Sequence, residues 1–159
     1  MKIFAPDYFG DFKCLMGDCR HSCCIGWEID IDPDKLDRYL TLPGPFGDRL
    51  RAGISLEGDP HFILDDRERC PFLNQKGLCD LILELGEDSL CDICALHPRF
   101  RNYFSDRAEI GLGLCCEEAA RLILSRESKT SLCVLEDDES IEIEQEFFSF
   151  REQIFDILQ

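Results

Sequence analysis

The sequence predicts an α+β fold: a small, irregular cysteine-rich domain whose short β-hairpins and helices are organised around one or two metal centres. Three observations favour this fold. The 159 residues include 11 cysteines, the apolar runs are short, and turn residues separate them. Hydrophobic residues make up 45% and charged residues 31%, close to globular averages, so neither disorder nor fibrous structure explains the composition. The length favours one compact domain.

The N-terminal elements are a ligand-bearing loop and a short helix. Residues 12–27 hold four cysteines and two glycines, a composition typical of a metal-binding loop. Asp32 followed by Pro33 predicts a helix N-cap with proline at the first helical position, so a helix should run from Pro33 to about Leu40. Proline and glycine at residues 43–45 are then expected to break the chain.

The middle of the chain predicts a β-meander and a second helix. The apolar runs at residues 62–64 and 71–73 are expected to pair across the charged turn between them, with another turn at residues 74–77. Residues 78–85 have a helical pattern that Gly86 ends.

The next segment predicts two strands, a helix and a third strand. The strands lie at residues 100–104 and 110–114, the helix at residues 117–124 and the last strand at residues 131–135. Two glutamates at the start of the predicted helix agree with the positive end of its dipole.

The C-terminal residues predict an amphipathic helix. Apolar side chains recur at helical spacing along residues 144–159, and no cap or stop signal follows them. We therefore expect residues 1–127 to form the cysteine-rich metal-binding domain and residues 128–159 to begin a following helical segment of a longer protein.

The charge and the N-terminus limit the class of partner and the compartment. Lys and Arg total 17 against 33 Asp and Glu, which gives a net charge of −16 and a pI near 4.4. This charge disfavours nucleic-acid binding, which needs a basic face, and favours a basic or neutral partner. A role of the charge in keeping the protein soluble explains it equally well. Residues 1–10 lack the apolar core of a secretory signal, and no segment is long enough to span a bilayer. A cytoplasmic protein without a membrane partner is expected.

The cysteines are grouped as metal ligands are grouped. Cysteine density of this kind in a reducing compartment more often indicates metal binding than disulfides, and close spacing brings ligands together at little entropic cost. Thiolates with or without histidine suit zinc, and the same thiolates suit an iron–sulfur cluster, so the residues leave the metal open. The candidates are Cys14, Cys19, Cys23, Cys24, Cys70, Cys79, Cys91, Cys94, His97, Cys115 and Cys116.

Some of these residues have equally ordinary structural roles. Cys133 lies in a strand-like run and is expected to be a small buried hydrophobe. Adjacent cysteines such as Cys115 and Cys116 point in different directions, so one of each pair is expected to reach a given ion. His97 precedes a proline and is as readily a packed side chain as a ligand.

The order of several motifs resembles the flagellin lysine-N-methylases and, more broadly, cysteine-rich domains described as zinc- or iron-chelating. The resemblance covers residues 7–124. The matching motifs are Phe12-Lys-Cys14, Cys19, Cys23-Cys24-Ile-Gly-Trp27, Ile29-Asp-Ile-Asp32, Cys70-Pro-Phe-Leu73, Gly77-Leu-Cys79, Cys94-Ala-Leu-His-Pro-Arg99 and Cys116-Glu-Glu-Ala-Ala-Arg-Leu122.

The resemblance separates the cysteines into two groups. Eight occupy pattern positions and are the implied metal ligands: Cys14, Cys19, Cys23, Cys24, Cys70, Cys79, Cys94 and Cys116. Cys91, Cys115 and Cys133 are additions to the pattern, of which Cys91 and Cys115 remain secondary candidates together with His97. The chain also departs from the family at Ala95, where a basic residue is usual, and at His97, where an aromatic residue is common.

The resemblance implies a function that composition does not. It implies methylation of lysine side chains on flagellin, with S-adenosylmethionine as the methyl donor and an iron–sulfur cluster, most simply of the four-iron, four-sulfur type, as the metal centre; zinc is the alternative. Gly111-Leu-Gly113 is only a fragment of a nucleotide-binding loop, and the spacing of Cys14, Cys19 and Cys23 differs from the radical-type cysteine triad. The sequence identifies no catalytic base.

Two other functions compete with the enzyme. A non-catalytic zinc- or iron-chelating module would use the thiolates only to hold a small fold together. Thiol redox chemistry would need an exposed cysteine of lowered pKa, and Cys91 with Cys94 is the candidate pair.

Overall fold

The computed structural model describes residues 2–104 and 107–136. This part of the chain forms the strands β1 (Lys2–Pro6), β2 (Ile54–Ser55), β3 (His61–Phe62), β4 (Arg99–Tyr103), β5 (Arg107–Leu112) and β6 (Leu132–Glu136). Its α-helices are α1 (Pro33–Thr41), α2 (Gly44–Ala52), α3 (Asp80–Leu85), α4 (Asp92–Leu96) and α5 (Glu117–Leu124). Single turns of 3-10 helix lie at Phe9–Asp11, Met16–Asp18 and Glu87–Ser89.

The chain divides into two compact units. The sheet unit contains residues 2–13 and the described residues from 98 to 136, and the cysteine-rich unit runs from Cys14 to His97. The mixed helix and strand content predicted for the chain is confirmed, and the predicted helix over residues 144–159 lies outside the described residues.

The sheet unit is built on a four-stranded sheet with the order β4-β5-β1-β6. β1 is parallel to β5 and antiparallel to β6, and β4 is antiparallel to β5. The predicted pair of strands at residues 100–104 and 110–114 is therefore confirmed as β4 and β5, and the predicted strand at residues 131–135 is confirmed as β6. No element was expected at β1, which has too few residues before it to show a pattern.

The sheet unit has a small core of its own. Tyr8, Phe12, Leu112 and Ala119 are buried together, with Ala119 supplied by α5. Helix α5 has the bounds that the sequence predicts. Its first turn carries two glutamates, where negative charge is favoured by the helix dipole.

The cysteine-rich unit has a separate aromatic core. The ring of Phe62 lies edge-on to Phe72 with 5.0 Å between centroids, and Tyr39 stacks on Phe62 at 5.9 Å. Edge-on and offset aromatic pairs are favoured over face-to-face sandwiches. Two cysteines, Cys70 and Cys91, are buried members of the same core.

Helix α1 confirms its predicted start. The Asp32 carboxylate accepts a hydrogen bond from the backbone N–H of Lys35 at 3.0 Å, as an N-cap should, and Pro33 follows it. The second carboxylate oxygen of Asp32 accepts from the backbone N–H of Asp92 at 2.8 Å. One side chain thus satisfies the first turns of both α1 and α4.

Two features of the middle of the chain differ from the prediction. The predicted break is present between α1, which ends at Thr41, and α2, but α2 already begins at Gly44 with Pro45 in its first turn, where proline is well tolerated. The strand β3 pairs with β2 and not with residues 71–73. Strands of two residues show no periodicity, so their partner is set by tertiary packing.

The turn at residues 74–77 and the helix after it are confirmed. Gly77 donates its backbone N–H to the Asn74 carbonyl at 3.1 Å and has a positive φ of 75°. Helix α3 ends at Leu85, and Gly86 follows with a φ of 85°, a left-handed conformation that glycine adopts without strain.

Cys133 corrects one further prediction. It lies in β6 as expected, yet its side chain is exposed and not a buried small hydrophobe. Among the described residues, no helix has the length and apolar character needed to cross a membrane.

Candidate metal centre

The cysteine-rich unit brings several thiols together. All eleven cysteines of the chain are free thiols. In this unit, six of them are close enough for their thiols to shift one another's pKa: Cys23, Cys24, Cys70, Cys79, Cys91 and Cys94. They come from three chain segments, so the fold and not local spacing alone gathers them.

Cys23 and Cys24 form the first thiol pair. The Cys23 thiol donates a hydrogen bond to Cys24, which raises the pKa of Cys23 and lowers that of Cys24. The backbone around the pair is fixed as well, since the indole N–H of Trp27 donates to the Cys23 carbonyl at 2.6 Å. Cys24 is thus the sulfur of this pair that more readily becomes a thiolate.

Cys91 and Cys94 form the second thiol pair, at the start of α4. The hydrogen bond between their thiols lowers the pKa of Cys91 and raises that of Cys94. The backbone N–H of Cys94 also donates to the Cys91 carbonyl at 3.0 Å. Each of the two pairs therefore contains one sulfur that keeps its proton and one that loses it more easily.

Cys70 and Cys79 lie beside the first pair. The backbone N–H of Cys70 donates to the Cys24 carbonyl at 2.9 Å, which joins the two loops directly. Burial raises the pKa of the Cys70 thiol to about 11 and also raises that of Cys79. Cys79 immediately precedes α3, and a backbone bridge links it to Leu73.

The remaining predicted cysteines lie elsewhere. Cys14 is exposed, and its sulfur accepts a hydrogen bond from the backbone N–H of Met16 at 3.3 Å. Cys19 is half-buried in the same unit. Cys115 and Cys116 lie in the sheet unit, just before α5.

His97 has a buried nitrogen without a partner. It follows α4, and its ring lies 5.6 Å from the ring of Trp27. Among the described residues, no group forms a hydrogen bond with the buried Nε2 atom of His97. Burial lowers the pKa of this imidazole, so it is neutral and has a lone pair available for a ligand.

The described side chains do not form a preassembled metal site. Over residues 2–104 and 107–136, no three or more His, Cys, Asp or Glu side chains are grouped so that they would hold a metal ion. The donor chemistry nevertheless fits a soft metal, because two thiol pairs, two further thiols and an unpartnered imidazole nitrogen share one unit. Ligation would require these side chains to move closer together.

A cavity of about 240 Å³ opens near the first cysteine loop. Arg20 and Arg69 line it together with Ser22, Gln75 and Cys19. Two arginines line this cavity although the chain has a net charge of −16, and such a lining favours a small anionic ligand. No motif in the sequence indicated this cavity, since Arg20 and Arg69 are far apart along the chain.

The chain is similar in sequence to proteins from Salmonella. Two proteins called lysine-N-methylase, from Salmonella choleraesuis strain SC-B67 and Salmonella typhimurium strain LT2, are each 25% identical to the chain over 137 residues, which is 77% of this chain. A protein called flagellar biosynthetic protein FliU, from Salmonella muenchen, is also 25% identical over 137 residues, covering 77% of each chain. The resemblance to lysine-N-methylases is thereby confirmed.

The match to the two lysine-N-methylases is partial. The aligned residues span 32% of the length of each of them, about a third. No protein-family profile matches the chain, and no solved structure matches it.

Proposed function

We propose that this chain is the metal-binding part of a protein-lysine N-methyltransferase that acts on flagellin, with S-adenosylmethionine as the methyl donor. One observation carries the proposal. The thiols gather in the same stretch of chain whose motifs resemble the lysine-N-methylases. A methyltransferase-like role rests on those relatives, whereas the donor, the substrate and the metal are the proposed parts.

Six thiols are the proposed holders of the metal, in a reducing cytoplasmic environment. They are Cys23, Cys24, Cys70, Cys79, Cys91 and Cys94. A four-iron, four-sulfur cluster needs four of them, and zinc would use the same number. A bound metal keeps its thiolates deprotonated and cross-links the segments that carry them. Cys14, Cys19 and Cys116 remain proposed ligands from the sequence pattern.

The proposed reaction moves a methyl group from sulfur to nitrogen. The bond between the donor's methyl carbon and its sulfonium sulfur breaks, a carbon–nitrogen bond forms, and the nitrogen loses a proton. The lysine must first be neutral, and its ordinary pKa is about 10.4. The acidic surface attracts a lysine-bearing partner but stabilises its charged ammonium form, so recruitment and activation require different groups.

The cavity beside Cys19 is the proposed site for the carboxylate of the donor. Arg20 and Arg69 supply the positive charge that a carboxylate pairs with. We expect Arg69→Gln to weaken binding of S-adenosylmethionine by about 10-fold to 100-fold, which corresponds to one charge-assisted hydrogen bond.

The matched control is Arg67→Gln, an exposed arginine two residues away that does not line the cavity. Calorimetric titration of the two variants with S-adenosylmethionine should separate them. Equal affinities of the two variants and the unmodified protein for S-adenosylmethionine would show that the donor does not bind in this cavity.

The central experiment measures metal and methyl transfer in turn. Protein purified without oxygen is analysed for iron, zinc and inorganic sulfide, and its visible spectrum is recorded. Full-length protein is then incubated with flagellin and methyl-labelled donor. Iron with sulfide and label on lysine support the enzyme. A metal-loaded full-length protein that transfers no label contradicts it.

A non-catalytic chelating module is the second candidate function. It is favoured by one observation, the burial of Cys70 and Cys91 inside the apolar core of the unit. Ligands that are also core residues give the metal a direct role in folding. This candidate predicts metal binding without donor binding, which the same titration decides.

Thiol redox chemistry is disfavoured because Cys91, one of the candidate pair, is buried. A reactive cysteine needs a lowered pKa together with access to solvent. Cys91 has the lowered pKa, but its exposed fraction is 0%.

A further inference from the structure

The strongest unexplained feature outside the thiols is the imidazole of His97. Its Nε2 atom is buried, and no described group pairs with it. Leaving a buried polar atom without a partner is energetically unfavourable. Such an atom in a folded protein calls for a group that satisfies it.

The position of His97 connects it to one thiol pair through the chain. His97 follows Cys94 by three residues across the end of α4. His97 is the C-cap residue of α4 and has a non-helical backbone conformation, so it lies next to the last turn of the short helix that carries Cys94. Cys94 in turn forms a hydrogen bond with Cys91, and it lies close enough to Cys24 and Cys70 for these two cysteines to raise its pKa.

The ring of His97 connects it to the other thiol pair through Trp27. The two rings are 5.6 Å apart at an interplanar angle of 36°. The same indole donates its N–H to the carbonyl of Cys23 at 2.6 Å. Trp27 therefore holds both the imidazole and the loop that carries Cys23 and Cys24.

We infer that His97 is a nitrogen ligand of the thiolate metal centre, binding the metal through Nε2, so that the centre is of mixed cysteine and histidine type. The inference rests on the proposed metal centre. An imidazole nitrogen is a common ligand beside thiolates. A metal would satisfy the unpartnered Nε2 atom of a histidine that follows one thiol pair in the chain and packs on the tryptophan that is hydrogen-bonded to the other.

The other two histidines differ from His97 in their surroundings. The Nδ1 atom of His61 lies 2.8 Å from the Asp59 carbonyl, and its Nε2 atom lies 3.9 Å from a carboxylate oxygen of Glu28. His21 is exposed. His61 is thus a suitable control, because it belongs to the same unit but already has polar neighbours.

X-ray absorption on zinc-loaded protein tests the ligand directly. Zinc-bound nitrogen lies at about 2.0–2.1 Å and zinc-bound sulfur at about 2.3 Å, so the two shells are distinguishable. The unmodified protein and His61→Phe should both show a nitrogen shell. His97→Phe should lack it and should bind zinc at least about 10-fold more weakly, as expected when a metal site loses support.

A second variant separates ligation from a packing role. His97→Cys replaces one zinc ligand by another, so zinc affinity should recover and the nitrogen shell should be replaced by sulfur. A packing role would give no such recovery.

Two results would overturn the inference, and they differ in what else they overturn. A nitrogen shell that persists in His97→Phe, or an all-sulfur shell in the unmodified protein, removes His97 from the centre and leaves the thiolate metal centre intact. An unmodified protein that takes up neither zinc nor iron removes both.

Discussion

The two units of this chain are stabilised in different ways. The described part of the sheet unit has four hydrogen-bonded strands, and α5 supplies Ala119 to its small core. The cysteine-rich unit has one two-residue strand pair, short helices and long loops, and its core contains thiols. We expect this regular pairing to maintain the first unit without metal. The second unit has few such bonds and places its potential metal ligands where the core needs support.

Metal removal should give the largest difference between the units. With metal bound, chelation under reducing, anaerobic conditions is expected to unfold Cys14–His97, since structural zinc contributes about 10–16 kcal/mol in small zinc-binding peptides. Hydrogen exchange followed by mass spectrometry should show loss of protection in this unit and retention in β1, β4 and β5. Equal loss of protection in both units would contradict the expectation that only the cysteine-rich unit depends on the metal.

A pair of glycine substitutions compares the tolerance of the two units. A Cβ at Gly47 would lie 1.9 Å from the backbone oxygen of Leu42, which cannot move without disturbing the start of α2. We expect Gly47→Ala to destabilise the protein by about 3 kcal/mol. A Cβ at Gly111 would lie 2.5 Å from the Phe100 ring, which is 47% exposed and free to turn towards solvent.

Gly111→Ala should therefore cost less than about 1 kcal/mol. Urea unfolding of both variants measures the two costs. A larger loss for Gly111→Ala than for Gly47→Ala would show that the sheet unit, and not the cysteine-rich unit, is the more tightly constrained.

Removal of one buried hydroxyl should have an intermediate effect. The Tyr39 hydroxyl donates to the Ser89 carbonyl inside the core of the cysteine-rich unit, and burial raises the pKa of Tyr39 so that it keeps the proton. Tyr39→Phe leaves that carbonyl without its donor and should cost about 1–3 kcal/mol. The control is Tyr103→Phe in the sheet unit, where the side chain is 65% exposed and a change within about 0.5 kcal/mol is expected. Thermal unfolding measures both, and equal shifts would contradict the assigned role of the Tyr39 hydroxyl.

A further modest effect is expected at the shared helix cap. Asp32→Ala removes the acceptors for the N–H groups of Lys35 and Asp92 and should cost about 1–2 kcal/mol. Asp32→Asn keeps one acceptor oxygen and should cost less. Urea unfolding that finds Asp32→Asn as stable as the unmodified protein would show that the second hydrogen bond contributes nothing measurable, and equal stability of the two variants would show the same for the acceptor that asparagine keeps.

Local signals explain which elements were predictable. Helix α1 begins with a proline after a capping aspartate, and α5 begins with two glutamates. A few adjacent residues therefore define the start of each helix. Helix α2 was missed because proline and glycine near a helix start resemble a break in the chain. The β2–β3 pair was assigned to the wrong partner because two residues carry no alternating pattern.

The sequence predicted that the candidate site binds metal, but it did not predict which cysteines lie together. The number of cysteines and their short spacings indicate metal binding, and the resemblance to lysine-N-methylases ranks eight of them as ligands. The fold places Cys91, an addition to that pattern, in hydrogen-bond contact with Cys94. The spacing of Cys91 and Cys94, with two residues between them, was the available signal. Spacing alone gives no way to rank Cys91 against the other cysteines as a ligand.

The sequence by itself determined the chemistry available to this protein: an acidic chain rich in thiols, with caps and turns that define individual helices. Tertiary structure decided which thiols meet, because Cys24, Cys70 and Cys91 are far apart along the chain and become neighbours only when one apolar core buries them or their flanking residues. The same burial leaves the Nε2 atom of His97 without a described partner. Neither effect has a local cause, since burial depends on contacts between distant residues.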